Sequence, residues 1–264
     1  MDSLKFSIVT PTYNSAEYLE DCIRSVQGQK YRNFEHIIVD GGSTDGTLDI
    51  IRKYEGTYPM KWISEKDNGM YDAINKGFGM ASGDIYSWIN SDDMYLPWTL
   101  QTVAGVMRRG NVEWCKGRNA YYTEDGSMYF HSSKWAARAV PTSWIRKGYC
   151  DNRISGFLQQ ESMFWKADLW NKAGGIDSKY RLAGDYHLWV KFAGFATLFT
   201  LNTVLAGFRV HKGQLSSDMN RYYSELPRNT LARKICRKTK LGFMYLQLFN
   251  PARDTNISID EDNN

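Results

Sequence analysis

The sequence predicts an α/β fold in which helices flank a mostly parallel, Rossmann-like β-sheet. Short β-type runs alternate with amphipathic segments of helical period as far as about residue 110. Polar residues follow four of these runs directly, and open parallel sheets bind ligands at the carboxyl ends of their strands. The 264 residues are enough for one large α/β domain, or for such a domain with an appendage.

The elements of the first part follow from the spacing of apolar residues. Pro11 closes the first β-type run, and Ser15 is a candidate cap for the helix that ends near Val26. The elements expected up to residue 110 are strand 5–10, helix 15–26, strand 36–40, helix 48–54, strand 60–64, helix 69–81 and strand 84–90.

The alternation is lost after about residue 110. Residues 111–165 are typical of short strands and loops, with a hairpin turn expected at Asp125 and Gly126. The acidic, polar end of the chain indicates a frayed terminus. The elements expected beyond residue 165 are helix 166–173, helix 184–193 and strands within 197–209.

Composition narrows the class of protein. The hydrophobic fraction of 42% is that of a globular protein with a core, and a net charge of +4 is too mild to indicate a nucleic-acid partner. Aromatic residues, at 14%, combine a flat apolar face with a polar tip, which suits sugar and base pockets as well as cores. The cysteines are far apart and form no CxxC pair, which favours a reducing compartment over a zinc site or a disulfide framework. They are Cys22, Cys115, Cys150 and Cys236.

Targeting signals are not evident. The start, MDSLKFSIVTPTYN, has no long apolar run, so no signal peptide is expected. No stretch approaches the roughly 18 consecutive apolar residues of a membrane span. We therefore expect a cytoplasmic protein.

Four polar segments stand where the predicted strands end. The turn after Asp40 lacks the GxGxxG fingerprint of dinucleotide-binding proteins, and no Walker lysine motif occurs, so neither NAD chemistry nor ATP hydrolysis is supported. The four segments are TPTYN at 10–14, DGGSTD at 40–45, SEKDNG at 64–69 and NSDD at 90–93.

The last of these segments ends an apolar strand in two adjacent carboxylates, Asp92 and Asp93. Like charges at this spacing repel each other. One explanation is a solvated turn in which Asp93 caps the helix near Pro97. The regular occurrence of polar residues at four strand ends favours a ligand-binding role instead.

Three stretches, which together include residues of all four segments, carry a resemblance to a known family. SIVTPTYN, VDGGSTDGT and DNGMYDAINKGFGMASGDIYSWINSDD resemble the nucleotide-sugar-binding half of family 2 glycosyltransferases, which have the GT-A fold. The resemblance is dense over about 5–110 and looser over 156–211. It implies a GT-A-like sheet with a nucleotide-sugar-binding half at 1–110, and an acceptor-binding and catalytic half of the same domain at 111–225.

The resemblance implies a divalent cation at the acid pair. Asp93 corresponds to the usual direct ligand, whereas Asp92 contacts the ribose or the sugar. Mn²⁺ or Mg²⁺ suits such oxygen ligands and would remove the repulsion between the two acids. His211 corresponds to a third metal ligand or phosphate contact in some GT-A enzymes, and a structural histidine is the alternative.

The resemblance also implies a set of donor contacts. Asp40 matches the aspartate that binds the donor base, and Pro11 and Tyr13 would lie beside that base. Asp45 is either a donor contact or a helix cap, and an ion pair with Lys76 is the alternative for Asp67 and Asp72. The donor-binding residues expected on this basis are Pro11, Tyr13, Asp40, Asp45, Lys66, Asp67, Asp72 and Asp92.

The catalytic base is expected in the second half. RLAGDYHLW at 181–189 resembles the family's late motif, in which two acids precede an apolar helix. Here Gly184 replaces the first acid, which leaves Asp185 as the base that takes the acceptor proton. The start of a helix should favour the ionised form of Asp185. The alternative to its role as the base is that it caps this helix. The acceptor and sugar contacts expected nearby are Gln160, Glu161 and Trp189, with Glu161 as the second candidate for the base.

These features predict a metal-dependent, inverting glycosyltransferase that moves one sugar from a nucleoside-diphosphate sugar to a hydroxyl of a glycan or lipid-linked acceptor. The QxxRW signature of processive synthases is missing. A sugar-phosphate nucleotidyltransferase would show a glycine-rich N-terminal loop, and a non-catalytic binding module would not need Asp40, Asp93 and Asp185 together.

The C-terminal extension, 226–264, combines a basic segment at 228–241 with an apolar, aromatic one at 242–249. Such a segment suits peripheral contact with an anionic membrane. A solvated helix that packs on the domain is the alternative.

Overall fold

The computed structural model describes residues 3–109, 111–131, 138–150 and 157–226. Within these residues, twelve strands and eight α-helices form an α/β fold, as predicted. The strands are β1 (Phe6–Thr12), β2 (Phe34–Asp40), β3 (Met60–Ser64), β4 (Ile85–Trp88), β5 (Met94–Tyr95), β6 (Trp114–Arg118), β7 (Ala120–Tyr122), β8 (Met128–His131), β9 (Arg138–Val140), β10 (Met163–Lys166), β11 (Leu198–Val204) and β12 (Ala206–Arg209). The helices are α1 (Leu19–Gln27), α2 (Thr47–Tyr54), α3 (Met70–Gly79), α4 (Thr99–Met107), α5 (Thr142–Arg146), α6 (Ala167–Ala173), α7 (Gly184–Phe192) and α8 (Met219–Glu225).

One large sheet runs through both halves of the chain. Its described strands follow the order β3-β2-β1-β4-β10-β6-β11-β9. The first four are parallel to one another, which is the doubly wound pattern that the sequence predicted. Strand β10 is antiparallel to both β4 and β6 and therefore joins the two halves in one sheet. A smaller sheet, in the order β5-β12-β7-β8, lies beside the acid pair that ends the fourth strand.

The core explains why these segments form these elements. Every residue of β1 and β2 is buried, as expected for central parallel strands covered on both faces. Helix α1 buries Leu19, Cys22, Ile23 and Val26, which recur at helical spacing on one face.

Four tryptophans at the centre, Trp88, Trp114, Trp165 and Trp189, are almost wholly buried. The rings of Trp88 and Trp189 stack with centroids 5.5 Å apart, which ties α7 to the main sheet.

Most predicted elements agree with the structure, and one capping assignment was wrong. Strand 60–64 and the hairpin at Asp125 and Gly126 are confirmed, the latter by the antiparallel pairing of β7 with β8. Ser15 does not cap α1, which begins four residues later. Its hydroxyl donates to the Tyr13 carbonyl instead, and its carbonyl closes a turn before the helix.

No helix in the described ranges is both long and apolar enough to cross a membrane. The described cysteines, Cys22, Cys115 and Cys150, are buried. Cys236 and all of the C-terminal extension after Leu226 lie outside the described residues.

Candidate active site

A cavity of about 800 Å³ opens where the first and fourth strands end. The first half contributes Pro11, Tyr13 and Asp92 to its lining, and the second half contributes Glu161 and Asp185. This is the carboxyl edge of the parallel strands, where ligands of such sheets bind. Its volume lies within the usual range of small-molecule sites.

Asp92 and His211 meet at one side of the cavity, with His211 Nε2 3.0 Å from Asp92 Oδ2. The other ring nitrogen, Nδ1, lies 2.9 Å from the Lys212 carbonyl oxygen, to which it can only donate. A neutral ring would then turn the Nε2 lone pair towards a carboxylate, which is also an acceptor. A positive species between them, either a proton or a divalent cation, resolves this conflict. Oxygen and imidazole donors together suit Mn²⁺.

Asp93, the expected direct metal ligand, points away from this side in the structure. It is fully buried and does not line the cavity. Its Oδ1 accepts from the Arg209 backbone N–H at 2.9 Å, and its Oδ2 accepts from the Asn90 side chain at 3.2 Å. Burial raises the pKa of Asp93 well above its ordinary value. Nor does it cap α4, which has no side-chain cap.

Arg209 holds this side of the cavity together, and the sequence analysis missed it. Its guanidinium is almost wholly buried and donates to the Asp92 carbonyl, to the Glu124 carbonyl and to the Asp21 carboxylate at 2.7–2.9 Å. It therefore joins the acid turn, the β7–β8 hairpin and α1. The available signal was a lone arginine in an apolar strand, two residues before His211.

Asp185 also lines the cavity and lies in the first turn of α7. Burial is the largest influence and raises its pKa to about 7, although the Tyr186 N–H and the Tyr222 hydroxyl act the other way. The expectation that the helix start would favour ionisation is therefore wrong in its net effect, because desolvation outweighs it. Asp185 is also not the cap, since Ala183 holds that position.

Gly184, which stands in place of an acid, has a steric explanation. A Cβ atom there would lie 2.7 Å from the ring of Tyr71 and 2.9 Å from Ile176. The absence of a side chain lets the Tyr71 hydroxyl donate to the Leu182 carbonyl at 2.7 Å and accept from the Asp185 N–H at 3.4 Å. Tyr71 was not singled out in the sequence, although the departure at Gly184 marked the place.

Glu161 and Gln160 both line the cavity, as expected of acceptor or sugar contacts. Gln160 donates to the Trp88 carbonyl at 2.5 Å. Oε1 of Glu161 is buried and has no hydrogen-bond partner in the described part of the chain. Burial raises the pKa of Glu161 to about 8, while the positive charge of buried Lys116 acts against this. Lys116 was not noticed in the sequence, where it is the one cation of a buried strand segment, WCK.

Three expected donor contacts other than Asp92 do line the cavity: Pro11, Tyr13 and Asp67. Tyr13 is 62% exposed, so its ring is accessible to a ligand. Asp67 accepts from the Gly69 N–H at 2.8 Å, and its Oδ2 would lie 2.7 Å from a Cβ at Gly41. The lack of a side chain at Gly41 therefore leaves the space that this carboxylate occupies.

Asp40, the expected contact of the donor base, does not line the cavity. It is fully buried, and its oxygens accept from the N–H groups of Gly42 and Ser43 at 3.0 Å and from two serine hydroxyls. A carboxylate with four donors has little capacity left for a ligand. Its position instead fixes the glycine-rich turn.

Asp45 and Asp72 also hold loops rather than line the cavity. Asp45 accepts from the N–H groups of Thr47 and Ala16, which supports the structural alternative. Asp72 accepts from the Asn68 N–H at 3.0 Å and pairs with Lys76 at 3.5 Å, which is the ion pair named as its alternative.

Two further assignments are not supported by position. Lys66 is exposed and lies outside the cavity lining. Trp189 is fully buried between Trp88 and Trp114, so it cannot contact an acceptor or a sugar in this structure. The sequence does not show how deeply α7 is packed.

The family assignment follows from comparison with known proteins. A model of the family described as glycosyl transferase family 2 matches residues 7–168, more than half of the chain. The chain belongs to this family. An uncharacterized glycosyltransferase of Rickettsia typhi is 26% identical over 219 residues, which are 80% of this chain and 65% of the relative, so this chain spans less than two thirds of that relative's length. A PGL/p-HBAD biosynthesis glycosyltransferase of Mycobacterium bovis is 27% identical over 232 residues, which are 85% of each protein.

Solved structures of glycosyltransferases confirm the predicted GT-A-like fold. TarS of S. aureus, residues 1–349 in complex with UDP-GlcNAc, superposes with a TM-score of 0.69 at 19% identity and covers 98% of this chain and 76% of that one. The mannosyltransferase PcManGT from Pyrobaculum calidifontis, in complex with GDP-Man and Mn²⁺, gives 0.63 at 17% identity, with coverages of 94% and 76%. At these identities the likeness shows the fold.

Proposed function

We propose that this family 2 protein is a divalent-cation-dependent, inverting glycosyltransferase that moves one sugar from a nucleoside-diphosphate sugar to a hydroxyl acceptor. The observation that carries the proposal is the placement of Asp92 with His211 and of Asp185 on the lining of one cavity. Asp92 comes from the first half of the chain, whereas His211 and Asp185 come from the second. A donor held by the first half would therefore present its sugar to a carboxylate of the second.

The donor side supports a nucleotide sugar. Tyr13 is exposed and Asp67 is held beside Gly41, so one offers an aromatic face to a base and the other offers acceptors to a ribose or base. The structural neighbours were solved with UDP-GlcNAc and with GDP-Man and Mn²⁺, which supports a nucleotide sugar here without selecting among them.

The cation would be held by Asp92 and His211. No group of three or more potential metal-ligating side chains converges within the described ranges, so water and the donor diphosphate would complete the coordination. The cation supplies electrostatic stabilisation of the departing nucleoside diphosphate. Mn²⁺ fits this pair better than Mg²⁺, because imidazole is a poor ligand for Mg²⁺.

Asp185 fits the role of general base. A base works best when its pKa lies near the working pH, and burial raises the pKa of Asp185 to about 7. Its carboxylate would remove the proton of the acceptor hydroxyl as that oxygen bonds to the anomeric carbon and the diphosphate leaves. A single displacement of this kind inverts the anomeric configuration.

The acceptor is proposed to be a glycan or lipid-linked glycan, held by residues 111–225 in the part of the cavity formed by Gln160 and Glu161. The basic and apolar extension at 226–264 would give peripheral contact with an anionic membrane at the cytoplasmic face. Co-sedimentation with vesicles of neutral or anionic lipid tests this contact. Equal binding to both, or binding to neither, would contradict it.

The central experiment separates donor binding from transfer. A thermal-shift screen of nucleotide sugars with and without Mn²⁺ identifies the donor, since a ligand selective for the folded state raises stability. Donor affinity and nucleoside-diphosphate release are then measured for Asp185→Asn. We expect release to fall about 10² to 10⁴-fold, as for loss of a general base, with donor affinity within a few-fold of the parent.

The matched control is Asp49→Asn, at an exposed acid whose contact is Arg52 on the same helix. It should leave both quantities unchanged. Parental release by Asp185→Asn would make Asp185 a structural residue and Glu161 the base to test. A donor that binds without any release would favour a non-catalytic module.

A further inference from the structure

The last described helix, α8, contacts the turn that carries Asp185. The Glu225 carboxylate accepts three consecutive backbone N–H groups through Oε2, from Arg181 at 3.0 Å, Leu182 at 2.9 Å and Ala183 at 3.0 Å. Ala183 is the N-cap position of α7, so Glu225 satisfies donors that lead directly into this helix. Burial opposes ionisation of Glu225, but these three donors outweigh it and lower its pKa.

The backbone of α8 is held to the same helix. The Glu225 carbonyl accepts from His187 Nε2 at 2.6 Å, and the ring of His187 stacks on Tyr180 with centroids 3.7 Å apart. Leu226, the next residue, is buried in the main core. Side-chain and main-chain contacts therefore both fix α8 against the first two turns of α7.

Tyr222 brings α8 to the carboxylate itself. Its ring is buried against Phe157, and its hydroxyl lies 3.5 Å from Asp185 Oδ1, to which it donates. On the backbone side, the hydroxyl of Tyr71 accepts the Asp185 N–H. Asp185 is thus placed between two buried tyrosines from α3 and α8.

Four titratable groups from outside α7 act on this carboxylate. Tyr71 contacts its backbone N–H from α3, and Glu161, which also lines the cavity, interacts with it electrostatically. Tyr222 and Glu225 face it from α8 and act in opposite directions. The Tyr222 hydroxyl stabilises the ionised form by hydrogen bonding, whereas the negative charge of Glu225 disfavours it.

We propose that α8 is a positioning element for the base: Tyr222 orients the Asp185 carboxylate towards the acceptor, and Glu225 holds the turn on which Asp185 stands. The proposal depends on the proposed role of Asp185. Neither residue has to touch the reacting atoms. Each acts through Asp185, and each should therefore change the pH dependence of release as well as its rate.

Tyr222→Phe tests the first contact and keeps the buried ring. A hydrogen bond to a charged group is worth about tenfold in an equilibrium constant, so kcat should fall about tenfold on the acid side of the profile. The acid limb of the pH–rate profile, where kcat falls because Asp185 becomes protonated, should move to higher pH. The reason is that the ionised form of Asp185 loses a hydrogen-bond donor. The KM for the donor should stay within about twofold. The control is Tyr58→Phe, which removes a partly buried hydroxyl bonded to His36 and should leave the acid limb unmoved.

Glu225→Ala and Glu225→Gln test the second contact. The alanine variant loses all three backbone contacts, and we expect kcat to fall about tenfold with the donor KM unchanged, since small displacements of catalytic groups reduce rates. Glutamine keeps an acceptor oxygen and should restore most of the rate, with the acid limb at lower pH because a negative charge is gone. Glu35→Gln is the control, since Glu35 is a buried acceptor for Ser7 and Ser82 elsewhere. It should lower stability without moving the limb.

A measurement of stability distinguishes this proposal from the proposed function. The folded-state pKa of Asp185 is raised from 3.8 to about 7, so its contribution to stability is full at low pH and is lost as pH rises. The free energy of unfolding of Asp185→Asn, relative to that of the parent, should therefore increase with rising pH. This difference should become constant near pH 7. In the Tyr222→Phe background the gain should level off at higher pH.

The stability curve and the pH profile of the rate test different parts of the argument. A stability curve that shifts while the rate profile stays parental would support the contact and overturn Asp185 as the base. If neither shifts in Tyr222→Phe, and Glu225→Ala keeps the parental kcat, α8 has no positioning role.

Discussion

The carboxylates of the two halves are held in opposite ways. In the first half, Asp40, Asp45 and Asp72 accept hydrogen bonds from backbone N–H groups of neighbouring loops. In the second half, Glu161 and Asp185 are buried with few donors, and burial raises their pKa values to about 8 and about 7. The acids that were easiest to select in the sequence mostly organise loops. Glu161 and Asp185, whose burial is poorly compensated, line the cavity, which is where perturbed groups are expected to act.

The adjacent pair Asp92 and Asp93 repeats this contrast within two residues. One carboxylate faces the cavity beside His211, and the other is buried under the Arg209 backbone. We expect Asp92→Ala to reduce nucleoside-diphosphate release at least about 10²-fold, because a cation at a departing diphosphate is worth several kcal/mol. Asp93→Asn keeps its shape and should keep most of the Mn²⁺ dependence. Release and Mn²⁺ affinity, by calorimetry with donor, are the measurements.

The opposite result would reverse the assignment. If Asp93→Asn abolishes the Mn²⁺ response and Asp92→Ala retains it, the buried acid is the ligand and the turn must rearrange when the donor binds. Arg209 would then be the residue to examine, because its side chain donates to the Asp92 carbonyl and its backbone N–H donates to the Asp93 carboxylate.

A second contrast pairs Asp40 with Asp67. Removing the Asp40 side chain leaves two N–H groups and two hydroxyls without their acceptor in a buried turn, so Asp40→Ala should cost about 3 kcal/mol of stability. Asp67 has one backbone donor and lines the cavity, so Asp67→Ala should cost less stability and more donor affinity. Denaturant unfolding and donor calorimetry on both variants measure the two quantities. Equal stability of the two variants, with donor binding lost only in Asp40→Ala, would return Asp40 to the donor site.

Much of the fold was predictable because it follows from local patterns. The alternation of buried strands with amphipathic helices determined the parallel part of the sheet, and the bounds of β3 agree with the predicted strand. The insertion of antiparallel β10 between β4 and β6 was not predictable. That pairing joins segments about 50 to 80 residues apart, and no residue pattern within either segment reports its partner.

The candidate site was predictable by position more than by role. The polar strand ends predicted the edge where the cavity lies, and Asp185 was found through a motif. Which acid turns inward depends on contacts from distant segments, such as the Arg209 backbone on Asp93 or the ring of Tyr71 beside Gly184. Residues that act through such contacts, including Tyr222 and Glu225, carry no local signal in the sequence.

The pH dependence of the rate measures the second-half acids directly. The base must be ionised to accept a proton, and a raised pKa means that Asp185 is protonated below about pH 7. At saturating Mn²⁺ and donor, kcat should therefore fall about tenfold per pH unit below that point and be constant above it. A rate that is constant down to the ordinary range of carboxylates would mean that the buried form is not the active one. A plateau reached only above about pH 8 would favour Glu161, whose pKa is the higher of the two.

The smallest expected effect belongs to Asp45, the first-half acid for which a cap and a donor contact were equal alternatives. Its Oδ1 accepts from the Thr47 N–H at 2.9 Å and its Oδ2 from the Ala16 N–H at 3.1 Å, so it joins the start of α2 to the loop before α1. Burial opposes its ionisation, but these contacts with Thr47 and Ala16 outweigh it and lower the pKa. Loss of such a capping acceptor typically costs about 1 kcal/mol, so Asp45→Ala should lower the free energy of unfolding by about that amount.

Donor affinity of Asp45→Ala should stay within about twofold, because Asp45 does not line the cavity. Asp45→Asn keeps an oxygen acceptor for one of the two N–H groups and should fall between the parent and the alanine variant in stability. If Asp45→Ala instead keeps parental stability and binds the donor about tenfold more weakly, the loop that it holds must close over the donor. The contrast between loop-holding acids of the first half and cavity-facing acids of the second would then fail at this residue.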